Sequence, residues 1–154
     1  MTRPLLGLTF CALTVLSSEA AAQQQAGANS AYRLTMPVLR KALPALYAAG
    51  KERCTERPRS PQEIAEMTVA QMEAELDGCA PVQRAAAAQG VTTRELAQVS
   101  KALLEVGHRM AEEESAKATG GTAAPLPPGA LRENVATVRQ NQAELGRLIK
   151  QQQL

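Results

Sequence analysis

Aromatic residues are almost absent from this chain, whose 154 residues include one Phe, two Tyr and no Trp. Phe10 lies in an N-terminal apolar run that we expect to be removed, so aliphatic side chains and methionine have to form the core. Ala, Leu, Gln, Glu, Arg and Met favour helices, whereas sheets prefer the aromatic and β-branched residues that are scarce here. The composition predicts one all-α domain, a small irregular bundle of four to five helices.

The N-terminus has the pattern of a secretory signal peptide. Arg3 precedes an apolar run over residues 5–16, and three alanines before Gln23 form a small-residue cleavage site. The run has about 12 residues, whereas a membrane span needs roughly 20. We therefore expect residues 1–22 to be cleaved and the mature chain to be periplasmic or extracellular, without a stable membrane span. A permanent N-terminal anchor is the less favoured alternative.

Cys54 and Cys79 remain in the mature chain. An even number of cysteines in an exported protein predicts a disulfide, because oxidising compartments preserve such bonds. Closing a loop of roughly 25 residues contributes about 3 to 4 kcal/mol in the chain-entropy model. A metal or redox pair is the alternative, but the cysteines lack C-x-x-C spacing and His108 is the only histidine.

Residues 23–32 are small and polar and predict a flexible mature N-terminus, and residues 33–117 are expected to form the helical domain. The predicted helix starts are Thr35, Ser60, Pro81 and Thr92. Pro44 should kink or divide the first helix. A second capping box at Thr68 leaves open whether residues 61–76 form one helix or two.

Residues 118–129 are rich in Gly, Pro and Ala and predict a linker or mobile loop. We expect residues 130–154 to form a C-terminal helix that packs on the domain, because apolar residues recur there at heptad spacing. This stripe, a candidate interaction face, consists of Leu131, Val135, Val138, Leu145 and Ile149. Asn134 and Asn141 lie beside the stripe. They could bind a ligand or a partner helix, but we favour hydrogen bonds to neighbouring backbone or to water.

The residues that could carry chemistry predict no catalytic, cofactor-binding or metal site. His108 has no partner of the kind that zinc, haem or a catalytic triad requires. The acidic side chains of residues 112–114 are consecutive on a helix and point in different directions, so they cannot converge on one cation. Met67, Met72 and Met110 suit Cu(I) chemically, but methionines at helical spacing are usually core filler. A net charge of +2 and two tyrosines argue against nucleic-acid binding.

Three segments of the chain, residues 32–35, 90–96 and 134–145, resemble small exported bacterial proteins that are uncharacterised, carry signal peptides and are all-helical. The resemblance covers most of the mature chain. It implies an exported helical protein, and it implies no functional residue, because no activity is attached to that class.

Three functions follow as hypotheses. The first is a non-enzymatic interaction protein of the periplasm or cell envelope, which holds an envelope protein or a second copy of itself through an apolar helix face. The second is a small-ligand carrier with a pocket between its helices. The least favoured is an enzyme that uses a carboxylate such as Glu95 or Glu144.

Overall fold

The computed structural model describes residues 31–51 and 59–152. Within these two ranges the chain forms seven α-helices and no β-strand, which confirms the predicted all-α fold. In chain order the helices are α1 (Met36–Lys51), α2 (Pro61–Glu66), α3 (Val69–Asp77), α4 (Ala80–Gln89), α5 (Thr93–Ala118), α6 (Ala130–Gln140) and α7 (Gln142–Gln151). The predicted signal peptide, most of the predicted flexible N-terminus and Cys54 lie outside the described residues.

The segment over residues 61–76, for which the sequence allows one helix or two, forms two helices. α2 ends at Glu66. The next residue, Met67, has an extended backbone, and Thr68 caps the start of α3. The Thr68 hydroxyl accepts a hydrogen bond from the Gln71 N–H at 3.2 Å, and the Gln71 side chain accepts one from the Thr68 N–H at 2.8 Å. The two capping boxes, at Ser60 and Thr68, therefore each begin a separate helix.

The second division corrects the expectation of one continuous helix over residues 130–154. Asn141 separates α6 from α7, and its side-chain amide donates to the carbonyl of Thr137 at 2.8 Å. That carbonyl is the one that the Asn141 backbone N–H would bond in an α-helix, and this N–H instead donates to Val138 at 3.2 Å. The asparagine side chain thus competes with the helical hydrogen bond.

α1 continues through Pro44, so of the two effects predicted for this proline, a kink or a division, the division does not occur. A proline inside a helix removes one backbone hydrogen bond. Leu39, Ala42 and Ala45 of the same helix are fully buried, where α1 packs against α4 and α5. This tertiary packing stabilises α1 in spite of the missing bond.

α5 is the central helix of the domain and contacts α1, α2, α3, α4 and α6. Its buried side is made of small and aliphatic residues, and its N-terminus is capped by Thr92, whose hydroxyl accepts from the Glu95 N–H at 3.1 Å. The buried residues of α5 are Leu96, Ala97, Val99, Ala102 and Val106. The core of the described region is therefore aliphatic, as the composition predicts. Of the described helices, none has the combined length and hydropathy that a bilayer span requires.

The segment between α5 and α6 is attached to the domain. The Arg109 guanidinium of α5 donates to the carbonyl of Ala124, and Leu126 packs against the core. These contacts hold the loop, which the sequence predicts to be a linker or mobile segment, beside α5.

Candidate binding groove

A groove with a volume of about 680 Å³ lies between α1, α2, α3 and α5. Most of its lining is apolar, and two of its residues are methionines, so we call it the methionine groove. The lining residues are Leu46, Gly50, Arg59, Ile64, Met67, Met72, Glu75, Leu76, Ser100, Leu103, Leu104, Gly107 and His108. Its volume lies within the range of sites that bind small molecules, roughly 300 to 1,000 Å³.

The division of residues 61–76 into two helices builds one side of this groove. Met67 lies at the break and Met72 on α3, and both are buried against Ala97 of α5. The Lys101 ammonium of α5 donates to the carbonyl of Ala65 at 2.6 Å and so holds the end of α2 in place. The short helices α2 and α3 are thereby fixed beside α5.

Gly107 and Leu104 of α5 form the open side of the groove. A β-carbon built on Gly107 meets nothing within 4 Å, so the missing side chain leaves space there. The Leu104 side chain has 37% of its surface exposed and is one of two large hydrophobic residues exposed in the described region. An exposed leucine beside an open apolar groove is the kind of surface that binds another molecule.

Polar groups lie at the rim of the groove. Arg59 and Glu75 form an ion pair across it, and His108 Nε2 lies 3.1 Å from a carboxylate oxygen of Glu112. The His108 side chain is well exposed. The described residues contain no group of three His, Cys, Asp or Glu side chains arranged to hold a metal ion. The chemistry of the groove is that of apolar binding with a charged border.

The heptad stripe predicted as an interaction face packs mainly on the domain itself. Val135 is buried in the core, and three other members are partly buried against it. Those three are Leu131, Val138 and Leu145. Ile149, on α7, has 45% of its surface exposed. The structure therefore places most of the stripe where it attaches α6 and α7 to α5 and α1, and leaves Ile149 at the surface.

The two asparagines beside the stripe bond to backbone, as the favoured interpretation predicts. Asn134 is 1% exposed and bonds to the backbone of Tyr32 and Leu34, while Asn141 bonds to Thr137. Their amide groups are therefore engaged within the chain.

Other residues considered from the sequence lie apart from the groove. Glu95 accepts a hydrogen bond from the Tyr32 hydroxyl at 3.3 Å, and Glu144 pairs with Arg40 at 2.7 Å. Burial and the neighbouring Glu95 carboxylate raise the pKa of Tyr32 above its ordinary value. Cys79 is buried at the start of α4, and its proposed partner Cys54 lies outside the described residues, so the bridge stays a prediction.

Sequence reasoning missed the groove, although one signal for it was present. Leu104, Gly107 and His108 lie at positions i, i+3 and i+4 of a helix and so share a face. On that face Leu104 lies next to Gly107, which has no side chain, and this combination indicates an open apolar surface. Nothing in the sequence showed that α2 and α3 would pack beside it.

In comparisons with known proteins, no protein-family model, no curated protein and no solved structure matches the chain.

Proposed function

We propose that this chain is an exported, non-enzymatic interaction protein of the bacterial envelope, which holds an apolar segment of a partner protein in the methionine groove. The observation that carries the proposal is the open apolar groove with exposed Leu104 at its edge. Export is supported by the signal-peptide pattern of residues 1–22.

The side chains of the groove favour a protein partner. Methionine is flexible and polarizable, and surfaces that adapt to different partner side chains use it often. Met67 and Met72 line the groove but expose only 8% and 6% of their surface, and the partly buried Leu46, Leu76 and Leu103 extend the lining with aliphatic side chains. An amphipathic helix that places its apolar face in a hydrophobic groove is a common mode of recognition.

Charged and polar groups lie at the rim of this groove. Arg59 and Glu75, which both line the groove, form an ion pair, and His108, a third lining residue, lies beside the carboxylate of Glu112. Charged groups at the edge of an apolar contact favour one register of the partner over others. A partner segment with polar residues flanking an apolar face fits this arrangement.

A small-ligand carrier is the second candidate, and the volume of the groove favours it. About 680 Å³ accommodates a small apolar molecule without a partner protein. The two functions share one site, so the same substitutions test both.

The substitution Gly107→Gln tests the groove, because it adds a side chain where a β-carbon meets no neighbour and occupies the space that a ligand needs. Gly146→Gln is the matched control, since a β-carbon on Gly146 of α7 also meets nothing within 4 Å and Gly146 does not line the groove. Wild type and both variants are incubated with envelope extract of the native host, and the captured proteins are identified.

The interaction-protein hypothesis is supported by a partner that binds wild type and Gly146→Gln but does not bind Gly107→Gln. The affinity of that partner has to be confirmed on purified components. A second copy of the chain as that partner shows self-association. Native mass spectrometry of the three proteins purified from the host tests the carrier: a retained small molecule should be lost with Gly107→Gln alone. Equal binding by all three proteins places the binding site elsewhere.

A further inference from the structure

A second cavity, with a volume of about 770 Å³, lies between the C-terminal half of α5, the loop over residues 121–126 and α6. It shares no lining residue with the methionine groove. The hydrogen bond from Arg109 to the Ala124 carbonyl fixes the loop as one of its walls. The cavity is therefore a separate feature with its own chemistry.

Positive charge predominates in the lining of this cavity. The lining contains four cationic side chains and one carboxylate, that of Glu113, whose side chain is 16% exposed. The cationic residues are Arg109, Lys117, Arg132 and Arg139.

The charge of Glu113 is already engaged. Arg109 Nε lies 3.1 Å from one of its oxygens, and Arg139 bonds the other. The hydrogen bond from Arg139 is the main reason that the pKa of Glu113 lies below its ordinary value of 4.5, and burial opposes this shift. Glu113 is consequently ionised at neutral pH. Together with Glu112, whose carboxylate lies 3.3 Å from the Arg109 guanidinium, it balances the charges of Arg109 and Arg139.

Lys117 and Arg132 have no such neutralising group. Both are exposed, and neither side chain has a hydrogen bond or an ion pair with any residue that the structure describes. Arginine and lysine at the opening of a cavity attract an anion, and the planar guanidinium can bind a carboxylate through two parallel hydrogen bonds.

The floor of the cavity is apolar. Leu126 and Val135 both belong to the hydrophobic core, and Ala136 and Pro125 extend the same wall. A ligand that fits must therefore combine an anionic head with an apolar body, because burying an unpaired charge against this floor is unfavourable.

We propose that this cavity binds a small amphipathic carboxylate, with the carboxylate between Lys117 and Arg132 and the apolar body along Leu126 and Val135. The site is independent of the proposed function of the methionine groove. It gives the protein a small-molecule site besides the groove.

Decanoate is the probe, and calorimetric titration of the full mature protein is the measurement. The double variant Lys117→Gln with Arg132→Gln tests whether these two side chains bind the carboxylate. The control is the double variant Arg84→Gln with Arg147→Gln, which removes the same charge from exposed positions outside the cavity. We expect the test variant to bind decanoate about tenfold more weakly than wild type, because two partly exposed charge interactions each contribute a factor of a few. The control variant should bind as wild type does.

Two further titrations identify the interaction and the site. Uncharged decan-1-ol should bind wild type and the test variant equally, and raising the salt concentration should weaken decanoate binding to wild type, since salt screens exposed charges. Gly107→Gln should leave decanoate binding unchanged. The proposal is overturned if the test variant binds decanoate as tightly as wild type, if wild type does not bind decanoate, or if Gly107→Gln abolishes the binding.

Discussion

The side chain of Asn134 is hydrogen-bonded to the backbone of Leu34, one hundred residues earlier in the chain. Its Oδ1 accepts from the Leu34 N–H at 2.7 Å, and its Nδ2 donates to the carbonyl of Tyr32 at 2.8 Å. One amide thus pairs with the backbone of the segment before α1, and an ion pair between Arg33 and Glu133 lies beside it. The segment is attached to α6 by these contacts.

Replacing Asn134 with alanine should lower the free energy of unfolding by about 2 to 4 kcal/mol, because two backbone groups lose their partner and the Leu34 N–H is buried. Urea unfolding followed by circular dichroism measures the change. Asn141→Ala is the control, since it loses one bond to Thr137 on the same pair of helices. Equal effects of the two substitutions would contradict the larger contribution expected from the two Asn134 bonds.

Gly107→Ala should raise the free energy of unfolding by about 0.5 to 1 kcal/mol, because alanine has a higher helix propensity and its β-carbon meets no neighbour within 4 Å. Gly90→Ala should lower it by about 1 kcal/mol or more, because Gly90 has φ of 64° at the end of α4. Thermal unfolding of the two variants gives the comparison. A destabilised Gly107→Ala variant would contradict the space described beside this residue.

A disulfide between Cys54 and Cys79 should appear as a cross-linked peptide pair in mass spectrometry of unreduced protein from the oxidising compartment. Replacing both cysteines with serine should lower the free energy of unfolding by about 3 to 4 kcal/mol, the value expected for the loop that the bridge closes. Wild type under reducing conditions is the matched control and should lose the same amount. Two free thiols in exported material would rule the bridge out.

The stability contributed by Glu113 should depend on pH in the acid range. Its folded-state pKa lies below the ordinary value of 4.5, chiefly because of the hydrogen bond from Arg139, so its ionised form stabilises the folded state above pH 4.5. That contribution is lost as the pH falls below 4.5 through the folded-state pKa. Glu113→Gln should therefore destabilise the protein at pH 7 and have a progressively smaller effect at lower pH.

The control for this pH dependence is Glu114→Gln, since Glu114 is exposed and has no ion pair with any described residue. Urea unfolding of wild type and both variants from pH 7 to the acid limit gives the three curves. A pH-independent effect of Glu113→Gln would contradict the ion pairs with Arg109 and Arg139.

Local capping signals account for the parts of the fold that the sequence predicted well. Ser60, Thr68 and Thr92 act on backbone groups within three residues of themselves, so their effect can be recognised without knowledge of the rest of the fold. The break at Asn141 was not predicted, because the apolar spacing of the stripe continues across it and hides the competing side-chain bond.

The two cavities depend on contacts between residues far apart in the chain. Met67 contacts Ala97 only because α2 and α3 pack against α5. The second cavity, beside the loop over residues 121–126, forms only because Arg109 holds that loop. Periodicity places each residue on a face of its own helix, and it does not specify which helix covers that face. The candidate sites therefore required the structure.

The attachment of residues 31–35 to α6 also determines where a tether would reach the domain. Ala31 lies beside the loop before α6, five residues ahead of the start of α1, whereas Gly50 near the other end of α1 lines the methionine groove. A helix of this length spans about 24 Å. A fusion partner, immobilising tag or membrane anchor joined ahead of Ala31 would hold the protein by the end remote from the groove, with the groove left open to incoming molecules.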